Sequence, residues 1–171
     1  FSMSITPAQR AIIEQQIGRT PHGLRDIAYA TESGVPVVLR MAPIVENQPF
    51  PTLYWLCSKD LHKAINKLET GGLVKQLEQR LQEDPEFMAA YQANQRAYVA
   101  ARWDNCSTED KQQLVERGFS DLFDSYGIGG LRDWQQIRCL HMHYAHHLCG
   151  ENVIGQWLDD HYQLNELVLS I

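Results

Sequence analysis

The chain has 171 residues, 44% hydrophobic and 21% charged, with four cysteines and a formal net charge of −6. This balance fits one domain with its own core and excludes a disordered tract or a disulfide-stapled scaffold. With an acidic balance and no stripe of Lys or Arg, nucleic acid is not expected as a partner; no apolar run approaches bilayer-spanning length, so neither is a membrane.

Residues 3–171 are expected to form that single domain, with Phe1 and Ser2 read as a cloning remnant ahead of Met3. The first residues lack the charged-then-apolar pattern of a secretory signal. Cys57, Cys106, Cys139 and Cys149 form no CxxC pair, which fits reduced thiols in a cytoplasm better than a zinc ribbon.

Thr6-Pro7 marks a helix start, with Thr6 as N-cap and Pro7 where its missing N–H costs nothing; the helix is predicted to end at Ile17, before Gly18. Arg19 to Gly23 is turn-prone, and Arg19 is a candidate anion ligand or the partner of a carboxylate within the protein. Leu24 to Ala30 and Val35 to Met41 read as strands joined by a hairpin-length loop, hence antiparallel. Glu46 to Pro51 is predicted to be irregular because of its two prolines. Thr52 to Cys57 reads as a third strand, rich in aromatics.

Ser58 can cap a helix from Lys59 to Glu69, where Leu61, Ala64, Ile65 and Leu68 recur at helical spacing before Gly71-Gly72. Leu73, Val74, Leu77 and Leu81 mark another helix. Asp84-Pro85 starts a long one whose Phe87, Tyr91, Tyr98 and Trp103 read as core, and Ser107 opens a short one closed by Gly118. The glycines of Gly127-Ile128-Gly129-Gly130 either approach an anion with their N–H groups or simply make a turn. Asp133 is the predicted N-cap of a helix running to Gly150, and Asn152 that of the last helix. The sum is a helix-rich α+β domain with about three antiparallel strands packed by several helices.

The histidine-rich stretch Cys139 to His147 carries the candidate chemistry. At about 100° per residue, Cys139, His143 and His146 share one third of a helix's circumference, with Ile137, His141, Tyr144 and Leu148 opposite. Thiolate and imidazole suit a zinc or iron ion, with His147 as alternative to His146 and His22, His62 or His161 as a further ligand. His141 is either a hydrogen-bonded core histidine or a general base.

Three functions follow. The first is a small metal-binding protein or metal-dependent hydrolase, with the ion on Cys139, His143 and His146, His141 as catalytic base, and Arg19 or Arg132 holding a small anionic, phosphorylated or acyl substrate. The second is a non-enzymatic interaction module, in which the histidines are structural and Tyr54, Trp55 and Trp157 line a groove for a protein partner. A third, a metal-free enzyme with Cys139 as nucleophile and His143 as base, ranks last because a mid-helix cysteine lacks help from a helix start.

Phe50-Pro51-Thr52-Leu53-Tyr54-Trp55-Leu56, the Gly127 to Gly130 turn, and Cys139-Leu140-His141 with His143 and His146 together resemble the bacterial family called domain of unknown function five hundred and one. Pro21, Gly23, Gly34, Pro36, Asn152, Ile154 and Gly155 extend the resemblance as a single domain. Val153 stands where that pattern usually has proline, and Ser58 where a cysteine often follows the strand, which makes Cys57 a poor ligand candidate. The resemblance implies special residues and no activity.

Overall fold

The computed structural model describes residues 5–171, so the reading of Phe1 and Ser2 lies outside the described residues. Among the described residues the fold is α+β. A three-stranded antiparallel sheet and a separate two-stranded ladder pack with eight α-helices.

Helix α1 (Pro7–Ile17) begins at a capping box between Thr6 and Gln9 and ends where Gly18 turns left-handed, φ 74°. Strands β1 (Leu24–Ala30) and β2 (Pro36–Met41) pair antiparallel, and β5 (Tyr54–Leu56) joins the other edge of β2. The central strand is buried along most of its length, which explains the unbroken apolar run Val35 to Leu39. Leu39 and Met41 pack on Ile13 of α1, and Val38 joins the larger helical core.

The segment expected to be irregular holds a miniature hairpin instead. Strands β3 (Ile44–Val45) and β4 (Gln48–Pro49) pair across Glu46 and Asn47, whose φ values of 51° and 64° suit a two-residue hairpin turn. Pro49 is tolerated because a two-stranded ladder has an outer edge that needs no donor.

Helices α2 (Lys59–Thr70) and α3 (Leu73–Glu83) follow, and then α4 (Pro85–Asn105), whose buried stripe is Phe87, Tyr91, Gln95, Tyr98 and Arg102. The polar members of that stripe act as brackets. Gln95 Oε1 accepts from the Ile128 amide at 2.7 Å, and Arg102 donates to the carbonyls of Pro51, Phe123 and Tyr126. Tyr98 donates nothing to this set but accepts from the Leu53 amide at 2.9 Å. The Phe50 to Leu56 segment and the glycine turn are thus fastened to α4.

Helix α5 (Thr108–Glu116) starts at the Ser107–Asp110 capping box, and α6 (Ser120–Ser125) is a short helix that apolar spacing did not reveal. In the glycine turn the Gly127 amide donates to the Leu131 carbonyl and that of Gly130 to Gly127, so these N–H groups are spent within the protein. A side chain at Gly127 would lie 2.2 Å from Gln95 Oε1, and one at Gly129 2.6 Å from the Arg138 carbonyl oxygen. The glycines serve close packing.

Helix α7 (Leu140–Cys149) starts seven residues after the predicted cap, Asp133. Asp133 caps only a local turn, accepting from the Gln135 amide at 3.0 Å. The chain up to Cys139 stays irregular because carboxylates on other helices capture its amides: Glu78 takes that of Ile137 at 2.8 Å and Glu69 that of Leu140 at 2.9 Å. Helix α8 (Val153–Tyr162) follows the Asn152 cap and crosses α7 at Gly155, where a Cβ would fall 2.2 Å from that of His147. No helix among the described residues is long and apolar enough to cross a membrane.

Candidate active-site cleft

Because α7 begins at Leu140, Cys139 is its N-cap, held at φ 60° and ψ 82°, rather than a residue on the helical face. A left-handed non-glycine residue costs roughly 1 kcal/mol or more. Its side chain supplies no capping hydrogen bond. The missing cap comes from Glu69 in the last turn of α2. Oε2 accepts from the Leu140 amide, and Oε1 lies 3.2 Å from His141 Nδ1. A carboxylate suits the positive end of α7.

His141 is thereby oriented through Nδ1, while its Nε2 has no hydrogen-bond partner among the described residues. Burial lowers its pKa below the ordinary imidazole value; the Glu69 carboxylate works in the opposite sense, and the neighbouring His62 lowers it again. The two imidazoles stack with centroids 4.7 Å apart. His62 Nε2 bonds to the Leu56 carbonyl, which fixes the proton on that nitrogen.

His62 lines two neighbouring cavities, and His141 lines the smaller of them. The larger, about 850 Å³, is lined by Arg19 and by Lys59, Lys63 and Lys67 of α2, with no carboxylate in its wall. The smaller, about 290 Å³, is lined by Phe50, Tyr54, Leu56 and Met142 together with Cys139 and His141. Arg19, Trp55 and His62 belong to both, and the Arg19 guanidinium lies over the Trp55 ring at 4.9 Å from its centroid. Burial raises the Cys139 thiol pKa, while the Met142 and His141 amides pull it down and Glu69 raises it. The thiol is therefore held protonated.

The other histidines of α7 face the core. His143 and His146 are 0% and 6% exposed, and the Asn152 side-chain amide lies 3.2 Å from Nδ1 of the first and 3.1 Å from Nδ1 of the second. One amide group carries two protons, so it serves both rings. Burial lowers the pKa of His143 to about 3 and that of His146 to about 4. His143 lies beside Tyr91, and His146 beside Tyr54 and Tyr98. His147 pairs with Asp159 at 2.7 Å, and Tyr144 donates to the same carboxylate at 2.7 Å.

The structure therefore separates the expected metal ligands. Cys139 lines the smaller cavity, whereas His143 and His146 turn to Asn152. Among the described residues no three His, Cys, Asp or Glu side chains are grouped to hold a metal ion. Arg19 is in the cleft; Arg132 is not, being 3.7 Å from exposed Asp121 and stacked on Tyr126. Trp157, proposed beside Tyr54 and Trp55, stacks instead on His161 at 3.8 Å.

Sequence reasoning missed Glu69 and the three lysines. Both left a trace. A carboxylate in the last turn of a helix opposes the dipole and needs a partner elsewhere. Lysines at i, i+4 and i+8 repel one another by a few tenths of a kcal/mol per pair.

A family model described as "Protein of unknown function (DUF501)" matches residues 27–160, a span that takes in every cleft residue named above except Arg19. No curated protein and no solved structure matches the chain.

Proposed function

The chain belongs to the DUF501 family, and from that premise we propose that its cleft binds a small anionic molecule on which His141, oriented by Glu69, acts as general acid–base in a hydrolytic reaction. The observation that carries the reading is the adjacency, through His62, of a carboxylate-free wall of four cations and the His141 imidazole that Glu69 holds by Nδ1, its buried Nε2 without a partner among the described residues. Clustered positive charge concentrates an anion.

A bound anion favours the protonated imidazolium, raising the pKa of His141 toward neutrality, where proton transfer is most effective. His141 Nε2, buried and without a partner among the described residues, takes a proton from a water held against it as that water attacks and returns it to the leaving group, while Glu69 steadies the imidazolium through Nδ1. The reading keeps the hydrolytic part and the Arg19 role of the sequence expectation. It routes no step through a zinc or iron ion, because Cys139 and the pair His143 and His146 face different spaces.

The test is a titration of the isotopically labelled protein with inorganic pyrophosphate, following the His62 and His141 ring resonances. Saturable shifts with a rise in the His141 pKa, weakened at least tenfold in affinity in a Lys63→Glu, Lys67→Glu variant, support binding; equal affinity in that variant refutes it. Hydrolysis of an ester panel that disappears in His141→Gln, with pyrophosphate affinity unchanged, supports the proton-transfer role. Retained hydrolysis removes it.

A further inference from the structure

The two cavities differ in chemistry and share their boundary. Four cations line the larger. The smaller presents Phe50, Tyr54, Leu56 and Met142, and its single cation, Arg19, has its guanidinium stacked on Trp55. A purely ionic ligand would leave that apolar wall in water and gain nothing from it. A cavity of about 150 Å³ is enough for benzene, so the 290 Å³ of the smaller lobe holds a substituted ring.

Resting on the anion-binding reading above, we infer that the ligand is an amphiphilic phosphate ester, with a dianionic head among Arg19, Lys59, Lys63 and Lys67 and a ring-sized apolar group against Phe50, Tyr54 and Met142. Arg19 is the joint between the halves: its charge faces the head, and its plane lies on Trp55, the aromatic wall common to both lobes. Met142 adds an adaptable thioether that packs on rings of differing substitution. The ester oxygen then sits beside His62, which lines both lobes, and His141, which stacks on it from the smaller one.

Calorimetric titration of the intact protein with phenyl phosphate and with methyl phosphate tests this without any variant. Phenyl phosphate should bind at least tenfold more tightly; equal affinities overturn the inference while leaving anion binding intact. Failure of both esters and of pyrophosphate to bind overturns both readings. In Phe50→Ala and Met142→Ala, phenyl phosphate should fall toward the affinity of methyl phosphate, whose own affinity is unchanged. A parallel loss for both esters would instead place the apolar group elsewhere and count against the inference.

Discussion

Helix α7 presents histidines to two unlike environments, and the contrast separates structure from chemistry. On its inner side His143 and His146 share one amide donor, sit among tyrosines and are held neutral by burial. On its outer side His141 is bound through one nitrogen to a carboxylate and lines the smaller, largely apolar lobe of the cleft. Residue type is the same on both sides. What differs is the partner, a neutral amide shared by two rings on one side and a carboxylate on the other, and the cleft that His141 lines.

The largest expected effect lies on the inner side and is driven by pH. Both buried imidazoles have folded pKa values, about 3 and about 4, below that of the unfolded chain. The unfolded chain therefore binds more protons, so the stabilisation is complete above the unfolded value near 6.5 and is lost as pH falls toward 4. At about 1.4 kcal/mol per proton per pH unit, the pair removes roughly 5 kcal/mol by pH 4.5. Urea midpoints measured across pH 4.5–7 should show it, and His143→Gln should flatten the slope by about one proton; an unchanged slope breaks the distinction between the faces.

Asn152→Ala comes next. It removes the cap of α8, to which Ile154 and Gly155 donate at 3.0 Å each, and the donor to both rings. A loss of about 3 kcal/mol is expected from equilibrium unfolding.

On the outer side the effects on folding shrink. Glu69→Gln should cost about 1 kcal/mol, as an amide oxygen replaces a charged acceptor at the start of α7. In the same variant the His141 pKa, read from its ring resonances, should fall further, because the carboxylate that raises it is gone. His141→Gln should change stability by less than about 1 kcal/mol while abolishing turnover. Arg132→Ala, which breaks an exposed pair at 3.7 Å, should stay within about 0.5 kcal/mol in unfolding and leave anion affinity unchanged.

Where local chemistry decides, the sequence was a sound guide. Thr6, Ser58, Asp84, Ser107 and Asn152 all cap the helices expected of them, and the β1–β2 hairpin pairs as its loop length implies. The helical wheel drawn through Cys139 failed because distant carboxylates, Glu78 and Glu69, take amides that an earlier helix start would have used. That one shift moved Cys139 out of the presumed ligand face. The cleft was only partly legible: Arg19 and His141 were singled out, but pairing Glu69 with His141 depends on where α2 ends relative to α7, which no periodicity encodes. Likewise Asn152 read as a cap, and its second duty to two imidazoles follows only from the crossing of α7 and α8.

Glu69 grips α7 twice, by the Leu140 amide and by the His141 ring, so charge arriving in the cleft cannot act on the ring alone. An imidazolium draws that carboxylate toward itself, and the same movement alters the hydrogen bond that holds the first peptide of the helix. Deuterium uptake at a single backbone position, Leu140, therefore registers cleft occupancy from the main chain, without any label on the ligand.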